Sequence, residues 1–393
     1  MSQHRIVVLG ASFGGLAAMY WLRRLHFRDE LEVTVVAQRA DAVYRPDLSL
    51  APLSPPTFVR NLRVDVAARC RELGMTFLQD TALRIDAQAQ RVDMLVHPPL
   101  SYDVLFWATG AEPAWDDVPG LGSHHVDIHD DYSAREVARQ LRELSGGTLV
   151  LAAAKLRQDP DSTPQVATLT EFPLYEVAML TAAQWKAQGR RQDLRIVLVT
   201  VAPNLGQGLG PKAQRLLDRR MRSLGVDVIT GASIQAVEGS SLVLGGATRL
   251  QADQIVWTPP TNGSGLARHS GLDDGYGWVP TTEYMQHPRW PNIYALGDIC
   301  ARTQPKVGHA AMRQARTAVG HFWAQAARRP ARPYVPKVLG TWHIGGGVGF
   351  GTFTDVPFGG TTEYVFVGRL AAWAKDIFGS TWRKGKGSLP IMP

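Results

Sequence analysis

The chain has 393 residues, 45% of them hydrophobic and 20% charged, which allows two or three globular domains and excludes disordered, collagen-like and coiled-coil proteins. Its two cysteines exclude a disulfide framework and a zinc site built on several thiolates, and they fit a reducing compartment. The net charge is +7, and residues 302–393 carry 13 Lys and Arg against 3 Asp and Glu, so this segment fits an anionic membrane, a nucleic acid or a solvated basic face.

The chain opens with a predicted strand, a glycine-rich turn and a helix. Residues 5–9 form the apolar run of the strand, 10–15 the turn and 16–25 the helix, and a second strand follows at 31–36. This order predicts a βαβ unit that binds a dinucleotide at the helix N-terminus. Ser12 stands where the GxGxxG fingerprint has its second glycine, and its small side chain still allows a pyrophosphate to approach. Because the fold starts at residue 5, no signal peptide is expected.

Alternating strands and helices continue through most of the chain. A helix is predicted at 64–73, and a buried strand at 102–107 ends in Ala-Thr-Gly110. A second α/β region has strands at 148–153, 194–201, 227–230 and 254–257 and helices at 172–186 and 211–224. A late strand at 292–296 leads into Gly297-Asp298, before a helix at 309–327, a linker at 328–336 and an aromatic, glycine-rich tail that ends in a basic helix. No apolar run approaches the roughly 18–20 residues of a membrane-spanning helix.

The three strand-end motifs resemble those of flavoproteins with two dinucleotide-binding domains. The resemblance implies FAD as the cofactor, with Asp298 on its ribityl chain and the next helix N-terminus facing its isoalloxazine ring. The acidic residue that would hold the ribose is absent, and Gln38 occupies its place with Asp41 nearby. The predicted FAD-binding residues are Gly10, Ala11, Ser12, Phe13, Gly14, Gly15, Gln38, Arg45, Thr109, Gly110, Gly297, Asp298 and Lys306.

The second α/β region has no glycine motif for a nicotinamide nucleotide. After its first strand, no glycine occurs between Gly147 and Gly189. Without glycine the backbone of this turn cannot approach a pyrophosphate closely, so the sequence disfavours NADH binding there.

Short segments spread over nearly the whole chain resemble sulfide:quinone oxidoreductases. They are residues 43–48 (VYRPDL), 108–112 with 115–122, 172–178 (FPLYEVA), 205–210 (LGQGLG), 305–308 (PKVG) and the tail at 369–384. The resemblance implies an α/β fold with two Rossmann-like domains of the FAD-dependent pyridine nucleotide-disulfide oxidoreductase type and a C-terminal membrane-association segment. The implied FAD-binding domain spans 1–115 and 270–330, the second Rossmann-like domain 116–269, and the quinone- and membrane-interaction region 331–393.

The cysteines depart from the family pattern. The family oxidises sulfide at a cysteine pair beside the flavin, whereas residues 126–131, which correspond to one cysteine position, contain no sulfur. Cys300 lies close to the other position and is either a thiol beside the flavin or a small buried residue. Cys70 lies with Val66 and Leu73 on one helix face, which predicts a core residue.

Three further groups have two interpretations each. Glu176 matches a family glutamate and is either a proton relay or a carboxylate at a helix start. Lys306 matches the family lysine near the flavin pyrimidine ring, and the alternative is a surface lysine. The histidines and aspartates between His124 and Asp131 form either a metal loop or, as we expect, a solvated polar loop, so no metal site is predicted.

The last helix has an apolar face and a basic face. Leu370, Trp373, Ala374, Ile377 and Phe378 are predicted on the apolar face, with Trp373 and Trp382 at its edges; Arg369, Lys375, Asp376 and Arg383 are predicted on the other. This pattern is typical of a helix that lies in the membrane interface, although the same face could pack on the protein. The residues predicted at the quinone and the membrane are Trp342, Phe350, Phe353, Trp373 and Phe378.

The sequence therefore predicts a membrane-associated FAD-dependent oxidoreductase that passes electrons from sulfide or another small reductant to a quinone, with Cys300, Glu176 and Lys306 as catalytic residues. The alternatives are a type II NADH:quinone oxidoreductase and a non-catalytic flavin-binding subunit or redox sensor. We expect a peripheral membrane protein on the cytoplasmic side, without a transmembrane helix and without a nucleic-acid partner. The sequence allows a homo-oligomer.

Overall fold

A computed structural model of the chain describes residues 4–25, 30–123, 127–158, 160, 167–168, 171–301 and 306–387. The helices are α1 (Phe13–Arg23), α2 (Val66–Leu73), α3 (Asp131–Glu143), α4 (Phe172–Ala187), α5 (Pro211–Ser223), α6 (Gly265–Ser270), α7 (Gly308–Ala326) and α8 (Arg369–Lys384).

Within the described residues, the strands form one five-stranded, one four-stranded, three three-stranded and two two-stranded sheets. They are β1 (His4–Leu9), β2 (Leu31–Ala37), β3 (Asp41–Val43), β4 (Arg63–Asp65), β5 (Thr76–Gln79), β6 (Ala82–Asp86), β7 (Arg91–Met94), β8 (Leu100–Ser101), β9 (Val104–Trp107), β10 (Glu112–Pro113), β11 (Gly147–Ala153), β12 (Leu194–Thr200), β13 (Val226–Ile229), β14 (Ile234–Glu238), β15 (Ser241–Leu244), β16 (Thr248–Gln251), β17 (Gln254–Thr258), β18 (Thr261–Asn262), β19 (Ile293–Ala295), β20 (Val338–His343), β21 (Gly349–Thr354) and β22 (Glu363–Gly368).

The first sheet is parallel and has the strand order β19-β9-β1-β2-β5. Its central strand is apolar on both sides, as expected for a parallel sheet covered by helices, and Val8 lies opposite Val35 and Phe106. Strands of a parallel sheet end at the same edge, so the turns after β1, β9 and β19 meet there. These are the turns that carry the three sequence motifs.

The second sheet is also parallel, with the order β13-β12-β11-β17. Helices α4 and α5 contact its strands. Its buried residues include Leu149, Leu151, Ile196 and Leu198. The predicted strands and helices of this region are present with ends shifted by one or two residues.

The tail forms a third sheet that the sequence did not predict. Strands β20, β21 and β22 pair antiparallel, and α8 packs across them. A Cβ atom on Gly349 would lie 2.2 Å from the backbone nitrogen of Ala372, so the absence of a side chain allows this close approach. The glycines that made the tail look irregular in sequence therefore permit the contact between sheet and helix.

Helix α8 turns part of its predicted apolar face outward and packs with the opposite face on the protein. Its buried residues are Ala371, Ala372, Lys375, Gly379 and Trp382, whereas Leu370, Trp373 and Ile377 are 78%, 60% and 40% exposed. The alternative in which the apolar face packs on the protein is therefore wrong for these three residues. Lys375 lies on the face opposite these residues, as predicted, but it is buried there, and the placement of Trp382 at the apolar edge is wrong. Small residues permit close packing, and Lys375 meets a buried carboxylate.

Candidate cofactor and redox site

The glycine turn after β1 is shaped by two close backbone contacts. Gly10 has φ +89°, and a Cβ atom there would lie 2.3 Å from the carbonyl oxygen of Ala108. A Cβ atom on Gly15 would lie 1.9 Å from the carbonyl oxygen of Gly10. Because only glycine fits both positions, the turn brings the N-terminus of α1 close to the strand ends.

A groove of about 630 Å³ opens at this edge of the sheet. It is lined by six of the predicted cofactor residues, namely Gly10, Ala11, Ser12, Gln38, Arg45 and Thr109. Ser12 precedes α1, and its side chain makes no capping hydrogen bond to the helix. A helix N-terminus with unused N–H groups attracts phosphate, so this part of the groove fits the pyrophosphate of a dinucleotide.

Of the other predicted FAD residues, Phe13, Gly14 and Gly15 form the first turn of α1. A Cβ atom on Gly14 would lie 3.3 Å from the Cβ atoms of Ala108 and Leu296, so this turn lies between the ends of β9 and β19. Gly110 follows Thr109 with φ +82°. These residues shape the turns rather than line the groove.

The part of the groove near Gln38 contains charged residues, of which the sequence analysis placed only Asp41 there. Gln38 is exposed, and its carbonyl oxygen accepts a hydrogen bond of 3.1 Å from Gln79. Arg39 pairs with Asp41 at 2.9 Å and with Asp131 at 2.8 Å, and Arg63 pairs with the same two aspartates. Asp41 is thus paired with two arginines, Arg39 and Arg63. Arg39 follows the predicted ribose residue directly, whereas Arg63 and Asp131 are distant in sequence.

The late Gly-Asp motif forms a tight turn after β19. Gly297 has φ +76°, and its N–H donates to Gln314 Oε1 at 2.6 Å. Burial raises the pKa of Asp298, while the positive charges of Lys306 and Arg45 oppose this rise. The charges of Lys306 and Arg45 therefore act on Asp298, while the roles of these three residues in FAD binding stay a prediction.

Lys306 is a buried cation, only 2% exposed, so its alternative as a surface lysine is wrong. Its Nζ donates to the carbonyl oxygen of Cys300 and lies 4.1 Å from the centroid of the Trp278 ring. Burial lowers the pKa of Lys306 to about 8, against the attraction of Asp298. The site can therefore offer a positive charge in a poorly solvated position.

Both cysteines are fully buried, and neither forms a disulfide. Cys70 lies on the inner side of α2, which confirms its prediction as a core residue. Cys300 ends the turn after β19, and its backbone pairs with Val279. Its burial fits the small-residue interpretation and keeps the thiol away from bulk solvent, while its carbonyl oxygen serves Lys306.

Glu176 lies in a buried polar cluster beneath α8. Its carboxylate is paired with Lys375 and accepts hydrogen bonds from Ser49 Oγ at 2.5 Å and from the His343 N–H at 2.6 Å. Asp47 lies nearby, 3.9 Å from Lys375. Burial raises the pKa of Asp47 to about 6, with Lys375 opposing the rise. The carboxylate of Glu176 thus has structural partners, and its role as a proton relay stays a prediction.

Polar residues before α3 form hydrogen bonds that stabilise the start of this helix. Asp127 accepts from the His129 N–H at 2.7 Å, and Asp130 caps α3 through the N–H groups of Tyr132 and Ser133. His124 and His125 lie outside the described residues. In the part of the chain that is described, no three His, Cys, Asp or Glu side chains are grouped to hold a metal.

The predicted quinone residues fall into different surroundings. Trp342 and Phe350 stack in the interior with ring centroids 5.3 Å apart, whereas Phe353 contacts Tyr364 at 6.4 Å. Phe378 is half-buried 6.3 Å from Tyr44, and Trp373 is exposed. The structure therefore does not bring the five residues together in one shared aromatic contact.

Helix α8 reaches back to the cofactor turn. Trp382 lies 4.8 Å from Phe13 and 5.2 Å from Tyr44, measured between ring centroids. At the other side of the helix, Leu370, Trp373 and Ile377 face outward together with exposed residues of β22. None of the helices in the described ranges is long and apolar enough to cross a membrane.

Several known proteins resemble this chain in sequence. The chain is 27% identical over 307 residues to an NADH dehydrogenase-like protein of Mycobacterium tuberculosis, covering 76% of this chain and 73% of that protein. It is 24% identical over 361 residues to the sulfide-quinone reductase of Aquifex aeolicus, with coverage of 86% and 80%. A type II NADH:quinone oxidoreductase of M. tuberculosis is 23% identical over 357 residues, with coverage of 83% and 73%.

The fold itself matches a solved structure closely. The crystal structure of the sulfide:quinone oxidoreductase of A. aeolicus superposes with a TM-score of 0.86 at 20% identity, covering 99% of this chain and 93% of that one. The profile of the family described as pyridine nucleotide-disulphide oxidoreductase matches residues 4–150 and 176–315. The chain therefore belongs to the pyridine nucleotide-disulphide oxidoreductase family, with the fold of a sulfide:quinone oxidoreductase.

Proposed function

We propose that this protein is a membrane-associated FAD-dependent oxidoreductase that takes electrons from sulfide or another small reductant and delivers them to a quinone. The observation that carries the proposal is the meeting of three turns at one sheet edge. There the glycine turn and the groove would fit a dinucleotide, and the charges of Arg45 and the buried Lys306 act on Asp298. Such an edge is where α/β sheets bind their ligands.

The chain's own residues would divide the work of holding FAD. Gly10, Ser12 and the N-terminus of α1 would bind the pyrophosphate, and Asp298 would accept a hydrogen bond from the ribityl chain. Bound FAD supplies two-electron oxidation and reduction. Lys306 would place its ammonium group near the ring, where a poorly solvated cation stabilises added negative charge.

The chain lacks a cysteine pair, so sulfide would not be oxidised through an intramolecular disulfide. Electrons from the reductant would instead reach FAD directly, or with the help of the single Cys300 thiol. The similarity to the sulfide-quinone reductase of A. aeolicus supports sulfide as the first donor to test.

The second α/β region argues against NADH as the donor, because the turn after β11 lacks the glycines that a pyrophosphate needs. At the start of α4, Glu171 directly precedes the helix and is buried. Its carboxyl group accepts hydrogen bonds from Tyr175 and Thr200, and the Tyr175 hydroxyl accepts from the Gly206 N–H at 2.7 Å. The start of α4 is thus held by hydrogen bonds between the protein's own groups.

The acceptor side would be formed by the tail. Quinones are dissolved in lipid, and the outward face of α8 exposes Leu370, Trp373 and Ile377 beside basic residues such as Arg369 and Lys384. Apolar and aromatic groups flanked by Lys and Arg are typical of a helix lying in the membrane interface. Because Trp382 of the same helix touches the cofactor turn, a quinone beside α8 would lie near FAD.

The proposal is tested by anaerobic titration of the purified protein, following the visible absorbance of oxidised flavin. Sulfide and NADH are added separately to the wild-type protein and to Cys300→Ser. We expect bleaching by sulfide and none by NADH. Bleaching by NADH alone would contradict the proposal and support the type II NADH:quinone oxidoreductase. The Cys300→Ser variant tests the role of Cys300. If sulfide bleaches the flavin of the wild type but not that of the variant, the thiol takes part in the reaction.

A further inference from the structure

Lys306 is held in place by a tryptophan that the mechanism above does not use. We propose that Trp278 is a positioning residue, whose ring face keeps the Lys306 ammonium in the dry pocket and directed toward FAD, and that it thereby sets the reduction potential of the flavin. The inference rests on the proposed binding of FAD and adds a residue to that site.

The first support is the geometry of the Trp278 side chain. The ring is 2% exposed and lies 4.1 Å from Lys306 Nζ, within the range of a cation–π contact. Its Nε1 donates to the carbonyl oxygen of Arg157 at 2.8 Å, which fixes the orientation of the ring. Trp278 also packs against Leu156 in a small apolar cluster separate from the two larger cores. A large side chain with its one polar atom satisfied is therefore anchored from the side of the second sheet.

The second support is the backbone that carries Trp278. The N–H of Val279 donates to the Ile299 carbonyl at 2.9 Å, and the N–H of Ala301 donates to the Val279 carbonyl at 2.9 Å. This short pairing fixes the tryptophan relative to the Cys300 carbonyl oxygen. That oxygen is the hydrogen-bond acceptor of the Lys306 ammonium. Ring and carbonyl thus hold the ammonium group from two paired backbone segments.

The third support is charge. The ring and the carbonyl, which contact the ammonium, are both uncharged. Asp298, the Cys300 side chain and Asp274 act on Lys306 electrostatically and raise its pKa, in that order, against the larger effect of burial. Asp274 is further engaged, since it accepts from the N–H groups of Tyr276 and Trp278. The positive charge of Lys306 therefore stays available for the negative charge that FAD gains on reduction.

Removal of the ring is expected to admit water and let the flexible lysine leave its position. The ammonium group would then stabilise reduced FAD less strongly relative to oxidised FAD. We expect Trp278→Leu to bind reduced FAD at least tenfold less favourably relative to oxidised FAD, which is a fall of about 30 mV in the midpoint potential. Trp278→Phe keeps an aromatic face and should show a smaller shift in the same direction.

The experiment measures the midpoint potential of bound flavin against pH, together with the affinity for oxidised FAD. The variants are Trp278→Leu, Trp278→Phe, Lys306→Met and the double variant Trp278→Leu/Lys306→Met. The matched control is Trp185→Leu, which removes another buried tryptophan that has a cation, Arg190, 4.7 Å from its ring. In the wild type, the potential should change its pH slope near pH 8, where Lys306 loses its proton.

Support requires that the shift in Trp278→Leu is absent from the control and that the double variant shifts no further than Lys306→Met. Fully additive shifts, or an unchanged potential and pH slope in Trp278→Leu, would overturn the inference. Should Trp278→Leu fail to fold, Trp278→Met takes its place, because it also removes the ring, and an unchanged potential and pH slope in that variant would contradict the role of the ring. Wild-type protein that binds no FAD would overturn the proposed function itself and the inference with it.

Discussion

The cofactor turn leaves no room for a side chain at Gly15. A methyl group at Gly15 would overlap the Gly10 carbonyl oxygen at 1.9 Å, a backbone atom that cannot rotate away. We expect Gly15→Ala to lose FAD binding and about 1–3 kcal/mol of unfolding free energy. The measurement is flavin content after purification, combined with urea unfolding.

The matched control is another glycine in a helix. Gly320 is exposed in α7, and no atom lies within 4 Å of a Cβ atom built there. Gly320→Ala should retain FAD and gain roughly 0.5–1 kcal/mol, because alanine favours the helix. Normal flavin content in Gly15→Ala would contradict the assignment of this turn.

The buried carboxyl group of Asp47 makes the free energy of unfolding depend on pH. Burial raises the pKa of Asp47 from 3.8 to about 6, so the folded state binds this proton more tightly than the unfolded state. Its contribution to stability is therefore fully present below pH 3.8 and is lost as the pH rises through 6. Asp47→Asn should raise the unfolding free energy at neutral pH by roughly 3 kcal/mol, an advantage that shrinks in acid.

The check is urea unfolding of Asp47→Asn and wild type across this pH range. Asp116→Asn, which changes an exposed carboxylate, is the control and should follow the wild type. An advantage of Asp47→Asn that grows toward acid would show that the sign is wrong.

Helix α8 presents two sides with different tasks. Its inner side carries Lys375, paired with Glu176 and fully enclosed by protein. Lys375→Met should cost about 3–5 kcal/mol, because it leaves a buried carboxylate without its cation. The double variant Lys375→Met/Glu176→Gln should recover part of this loss. Chemical unfolding measures both, and equal losses in the two would speak against the ion pair as the cause.

The outer side of α8 is predicted to bind lipid. Replacing Leu370, Trp373 and Ile377 together by serine should weaken binding to anionic vesicles at least tenfold, since about 1.5–3 kcal/mol accompanies burial of each large apolar side chain. Stability should change little, because these residues are 78%, 60% and 40% exposed. Vesicle co-sedimentation is the measurement, and unchanged binding would remove the membrane assignment of this face.

The two sides of α8 also show what could not be predicted from the sequence. The apolar pattern correctly grouped Leu370, Trp373 and Ile377 on one face and Lys375 on the other. It gave no sign that Lys375 is buried, because a lysine is usually exposed. Its partner Glu176 is 199 residues away, and no local pattern links the two. The same limit applies to the sheet β20–β22, whose glycines resemble loop residues until their contact with α8 is known.

Across the entire protein, the local signals predicted the fold and the position of the cofactor turn. Each motif joins a buried strand to a tight turn, and parallel strands bring such turns to one edge. The surroundings of that edge could not be predicted, since Trp278 meets Lys306 only through the pairing of residues 279 and 299–301. The domain boundaries and the roles of Cys300 and Glu176 stay predictions.

The most direct test measures electron transfer from the flavin to a quinone and requires no knowledge of the natural electron donor. The purified protein is reduced chemically without oxygen and mixed with increasing concentrations of a short-chain quinone, while the visible absorbance of oxidised flavin is followed. We predict that flavin copurifies with the protein and that its reoxidation rate saturates with quinone, as expected for binding at a site before electron transfer. Protein without flavin, or a rate that rises linearly with quinone as for free FAD, would contradict the account.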